Sequence, residues 1–142
     1  MPQELEHSAY QQITTLSAEG NAFADEKKLD AAIDKFEEAL SILPKPKEDW
    51  EAATWLYASI GDMLFLKKEY NQALNDFMLA MKCPDGYANP FILLRCGQCY
   101  LELNDEQNAK EYLLRAYMME GFDIFKNEDR KYYNFLRENV KL

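Results

Sequence analysis

Apolar and small residues recur along this chain at helical spacing, and they do so in the same register three times. From each of Gly20, Gly61 and Gly97, a large apolar or aromatic residue follows at the third place: Phe23, Leu64 and Tyr100. An alanine follows at the twelfth (Ala32, Ala73, Ala109), a large apolar residue at the sixteenth (Phe36, Phe77, Leu113) and a second alanine at the nineteenth (Ala39, Ala80, Ala116). These spacings predict six helices in three pairs, over about 4–25 and 28–42, about 48–67 and 70–82, and about 89–102 and 106–119. No segment shows the period-two alternation of a strand. Beyond Gly121 the repeat lapses. Phe122, Ile124 and Phe125 form an apolar turn, Asn127-Glu128-Asp129 reads as a helix start, and Tyr132, Tyr133, Phe135, Leu136 and Val140 lie close to helical spacing. A seventh helix is therefore expected to cover the apolar side of the sixth.

The glycines stand 41 and then 36 residues apart. The excess falls between units, in Pro44-Lys45-Pro46-Lys47-Glu48-Asp49 and around Pro84-Asp85-Gly86, which are turn-forming segments where insertions do least harm. Asn104-Asp105 supplies a cap before the sixth helix. The glycine, the apolar residue three places on, the two alanines, the large residue between them and the closing Pro44 and Pro84 resemble the tetratricopeptide repeat, whose period is about 34 residues. The resemblance covers roughly residues 13–121. It implies an all-α solenoid: one domain over 1–142, with repeats at about 13–46, 54–87 and 90–121 and a capping tail over 122–142. Each unit would be two antiparallel helices, with glycine and alanine leaving no bulk where they cross. Neighbours would stack into a right-handed superhelix, because a lone helix pair cannot bury its apolar face.

Charge narrows the function. Sixteen basic residues face twenty-five acidic ones, a net charge of −9. That balance repels phosphate backbones and acidic lipid surfaces, so neither nucleic acid nor membrane is expected as a partner. It attracts basic proteins over a distance, and it also keeps a chain soluble. An apolar fraction of 48% can build a core, yet no run of about 18 apolar residues exists to span a membrane. The polar, acidic start, Met1 to His7, is not that of a secretory signal. With three cysteines (Cys83, Cys96, Cys99), the expectation is reduced thiols in a cytoplasm.

Catalytic chemistry finds little to work with. His7 is the sole histidine and sits near the terminus, a poor place for a general base. There is no glycine-rich phosphate loop and no metal-ligand spacing, so neither cofactor nor metal is expected. Cys96-Gly97-Gln98-Cys99 is formally a Cys-x-x-Cys, but it falls inside a predicted helix and its glycine is the repeat anchor. Two small residues at a helix crossing is the better reading. Adjacent carboxylates such as Glu37-Glu38 point apart on a helix and cannot share a substrate atom.

The resemblance implies a protein-binding module whose concave face is lined by the first helix of each unit. Counting from the glycines, unit one offers Thr14, Ser17, Asn21, Ala24 and Asp25. Unit two offers Trp55, Ala58, Asp62, Phe65 and Leu66, and unit three Phe91, Leu94, Gln98, Leu101 and Glu102, with Arg95 beside them. Aromatic anchors amid Asp25, Asp62 and Glu102 suit a basic, partly apolar protein segment. The chaperone-associated carboxylate clamp of this family is matched only at Asn21 and Arg95; Ser17, Ser59 and Phe91 stand where its other residues would be. Gly97-Gln98-Cys99-Tyr100-Leu101 with Ala109-Lys110 is similar to the third repeat of cytoplasmic chaperones of secreted translocators. Asn89-Pro90-Phe91-Ile92, Arg115-Ala116-Tyr117-Met118, Ile124-Phe125, Glu128-Asp129 and Lys131-Tyr132-Tyr133-Asn134-Phe135-Leu136 are similar to bacterial immunity proteins encoded beside polymorphic toxins. The expected partner is thus a basic toxin domain, the alternative a secreted client, and self-association as a homodimer or scaffold stays open.

Overall fold

A computed structural model describes residues 5–142. Among them the helices are α1 (His7–Asp25), α2 (Leu29–Ile42), α3 (Glu51–Leu66), α4 (Tyr70–Met81), α5 (Pro90–Glu102), α6 (Glu106–Glu120) and α7 (Arg130–Asn139), with no strand. The first six form the three hairpins expected from the spacing. The seventh begins at Arg130, three residues later than the Asn127 start signal suggests. Asp129 is its cap, accepting from the Lys131 backbone N–H at 3.0 Å, while Glu128 turns inward for another purpose.

The hairpin turns are built three times in the same way. Lys27, Lys68 and Asn104 each take left-handed backbone (φ 64°, 65° and 65°). The N–H that follows each reaches back across the turn: Lys28 to the Phe23 carbonyl, Glu69 to Leu64 and Asp105 to Tyr100, all at 2.9 Å. These bonds satisfy carbonyls that a helix end otherwise leaves unpaired and reverse the chain within three residues.

Within each hairpin the anchor glycine meets the large residue of the partner helix. A Cβ on Gly20 would stand 2.6 Å from the Phe36 ring, on Gly61 3.0 Å from Phe77 and on Gly97 2.7 Å from Leu113. The repeated glycine is therefore a socket for the repeated ring. Phe36, Phe77 and Leu113 are fully buried there, each worth about 1.5–3 kcal/mol of apolar transfer. All six repeat alanines are fully buried as well, so the backbones close on one another.

The extra residues between units form two 3-10 turns, Lys47–Asp49 and Gly86–Ala88. Lys47 Nζ caps the end of α2 by donating to the Leu40 carbonyl at 2.7 Å, a favourable place for a cation. Trp50 Nε1 donates to the Pro44 carbonyl at 2.8 Å, which fixes the entry to α3. Thr54 Oγ1 donates to the Pro84 carbonyl at 2.8 Å, tying α3 to the second connection. The core then divides. One cluster runs from Ile13 to Cys99 through α1–α5; a second joins Leu93, Leu94, Leu113 and Ala116 to Phe125, Tyr132 and Leu136 of the tail.

Candidate functional site

Helices α1, α3 and α5 are the first helices of the three hairpins, with α3 in the middle. Trp55 projects from α3 and remains 43% exposed. It lies between two hollows. The one toward α5 is small, about 210 Å³, and is lined by Thr54, Ala58, Asp62 and Phe91. The one toward α1 is larger, about 930 Å³, and takes in Tyr10, Ile13, Thr14, Asp49, Trp50 and Glu51. Exposed aromatic rings beside carboxylates are what an apolar, positively charged segment would meet.

The third unit is different, because the chain's own tail lies over it. Arg95 is nearly buried, its guanidinium carbon 4.4 Å from the centre of the Phe65 ring and 4.8 Å from that of Phe91. Its Nε donates to Asp62 Oδ1 at 2.9 Å and one terminal nitrogen donates to Gln98 Oε1 at 2.7 Å; that nitrogen also donates to the Glu128 carboxylate. Gln98 Nε2 donates to the same Glu128 oxygen at 2.8 Å. Next to this cluster, Glu102 accepts from the Tyr132 hydroxyl at 2.7 Å and pairs with Lys131 at 2.7 Å. Burial, then the bond to Glu102, holds the Tyr132 phenol far above its usual range, so it stays a donor.

The residues picked out along the sequence thus fall into groups. Asp62, Phe65, Phe91, Arg95 and Gln98 come together around one guanidinium. Leu94 and Gln98, at 1% and 0% exposure, belong to the interior and offer a partner no surface while the tail is seated. Glu102 is engaged by the tail. Asn21 and Asp25 are exposed on α1, without a side-chain hydrogen bond or ion pair among the described residues. Ser17 is buried, and its hydroxyl has no partner among them. Tyr10, Asp49, Glu51 and Glu128 were not among the residues the repeat positions assign to the concave face. Tyr10 precedes the first repeat and Asp49 lies in an insertion, so counting positions from the glycines does not reach them.

The thiols are inert in this setting. Cys96 and Cys99 are fully buried, and burial pushes both pKa values up to about 12; burial raises Cys83 to about 11. Among the described residues no group of three or more His, Cys, Asp and Glu side chains is placed to hold a metal ion, and no helix is long and apolar enough to cross a membrane.

Residues 92–121 match the family model of the tetratricopeptide repeat. The match falls on α5 and α6, the third hairpin. The described residues have the fold of a tetratricopeptide-repeat α-solenoid. It superposes on the first such domain of Spaghetti (RPAP3), solved bound to the HSP90 peptide SRMEEVD, with a TM-score of 0.70 at 20% identity over 90% of either chain. The N-terminal domain of the C. elegans stress-induced protein STI-1 gives 0.68 at 13% identity, over 94% of this chain and 98% of that one. The Sgt2 repeat domain of Aspergillus fumigatus gives 0.60 at 22% identity, over 89% and 75%. At these identities the likeness is one of fold. No curated protein is similar enough to count as a match.

Proposed function

We propose that this chain is a non-catalytic module that binds another protein along α1, α3 and α5, and that it serves as a cytoplasmic immunity protein, neutralising a basic toxin domain. The observation that carries the reading is Trp55, an exposed indole standing between two hollows with carboxylates in both walls. Large exposed rings beside a pocket are the usual anchors of protein interfaces, and acidic neighbours select a basic partner. A nuclease-type toxin presents such a basic face. The structural relative RPAP3 takes an HSP90 peptide; that mode is disfavoured here, because a peptide carboxylate approaching Arg95 would meet Asp62 and Glu128 already on it.

The test is purification of the tagged chain from its native cell, with mass spectrometry of what accompanies it, followed by toxin challenge. A co-purifying toxin domain, and protection that is lost with Trp55→Ala, is the expected result. A translocator subunit in its place would make the chain a secretion chaperone. Recovery of the chain with only itself would make it a self-associating scaffold.

A further inference from the structure

The larger hollow has a composition that says more than that a protein binds there. Its walls join three aromatic rings, Tyr10, Trp50 and Trp55, to two carboxylates, Asp49 and Glu51, over an apolar floor that includes Ile13 and Pro84. Trp50 uses its N–H internally, on the Pro44 carbonyl, so it contributes only ring surface. Tyr10 is 59% exposed, and neither its hydroxyl nor the Trp55 indole N–H is used within the described chain. Asp49 and Glu51 flank Trp50 in sequence, are exposed, and make no ion pair among the described residues. An aromatic face attracts a cation through its quadrupole, a carboxylate does so through its charge, and an apolar floor accepts a methylene stem.

We propose that this hollow is the subsite for a lysine or arginine side chain of the partner, its stem on Ile13 and Pro84 and its charged end between the Tyr10 and Trp55 rings and the Asp49 and Glu51 carboxylates. The inference rests on the reading of α1, α3 and α5 as the partner surface, and it commits that surface to one end. The cation enters beside α1, where the carboxylates are unpaired among the described residues, rather than beside Asp62, whose carboxylate Arg95 already holds. The occupant is a cationic, apolar protein segment, since an acidic one would face two carboxylates, with His7 the one basic residue in the lining.

The probe is an acetylated, amidated hexapeptide of alternating leucine and lysine, compared with its leucine–glutamate counterpart and followed by NMR of the intact chain. The lysine peptide should shift the Trp55 indole and the Tyr10 amide saturably, and the glutamate peptide should not. Tyr10→Ala, and separately Asp49→Asn with Glu51→Gln, should each weaken binding roughly threefold to tenfold. These side chains are exposed, so the variants should keep the wild-type spectrum elsewhere. Equal shifts from the glutamate peptide, undiminished binding by the carboxylate variant, or no saturable shift would overturn the subsite. Lysine-peptide shifts confined to the Asp62–Phe91 hollow would overturn it too, while leaving the inner surface as the partner site. A natural partner that binds Trp55→Ala as well as wild type would instead overturn that broader reading.

Discussion

Asp76 shows how a single side chain can add a pH dependence of its own to the stability of the fold. It is half-buried on α4 and makes no hydrogen bond or ion pair among the described residues. Burial, and then the Glu37 carboxylate, raise its pKa to about 6. The folded state therefore holds this proton more tightly than the unfolded chain, whose aspartates titrate near 4. Its effect runs opposite to that of a salt-bridged aspartate: stability is lost as pH rises from about 4 to about 6. Asp76→Asn should raise unfolding free energy at pH 7 by about 1–2 kcal/mol, discounting for partial exposure, and the gain should fade below about pH 4. Urea denaturation at both pH values checks it; a gain of equal size at both would show that charge is not the cause.

Among elements, the hairpin turns were legible in outcome but not in means. The six repeat helices end within about three residues of where the apolar spacing puts them, because the spacing reports which turns of helix face a neighbour. That Lys27 and Lys68 would take left-handed backbone was not legible: lysine carries no signal for it, and the conformation is imposed by the closure of the hairpin around the glycine socket. Such a residue gives up about 1 kcal/mol relative to glycine. Lys68 is exposed, and its neighbour Lys67, not Lys68 itself, pairs with Asp30. Lys68→Gly should therefore stabilise the protein by about 0.5–1 kcal/mol, read as a higher denaturation midpoint with unchanged slope. A lower midpoint would mean that the lysine side chain contributes more than its backbone costs.

The tail is where reading from sequence stopped. Its aromatic spacing announced a capping helix, and Phe125, Tyr132 and Leu136 do complete the core over α5 and α6. Nothing local connects Glu128 with Arg95, 33 positions away, and repeat numbering says which face of α5 a residue occupies, not what later covers that face. So Leu94 and Gln98 looked like groove and are interior. Glu128 locks this arrangement by giving a nearly buried guanidinium its second carboxylate. Glu128→Ala should cost about 2–4 kcal/mol, since it leaves a buried charge and a buried amide under-satisfied. Amide exchange should speed up in α7 before it does in α1 and α2, because the tail packs chiefly on the last hairpin and its cluster draws no residue from the first. Uniform acceleration across all helices would show that the tail and the first hairpin unfold as one unit.

At the scale of the molecule, charge and anchor should act on different rates. Acidic residues outnumber basic ones most strongly in the stretch up to Glu51, the side of the molecule that carries α1 and the larger hollow. A field of this kind speeds encounter with a basic partner and weakens with salt, whereas a desolvated ring slows departure. Asp25 and Asp34 suit a test of the field, being exposed and outside both the Arg95 cluster and the larger hollow, so reversing them leaves the tail seated and the hollow unchanged; Asp62 and Glu102 would not serve, because both hold internal partners. Asp25→Lys with Asp34→Lys should lower the association rate severalfold at low salt, flatten its dependence on ionic strength and change the dissociation rate little. Trp55→Ala should do the reverse, raising the dissociation rate by the equivalent of about 2 kcal/mol with association nearly unchanged. Stopped-flow or surface-capture kinetics at two ionic strengths separates the two. If the charge reversals alter only dissociation, the carboxylates act in the docked interface rather than through the long-range field.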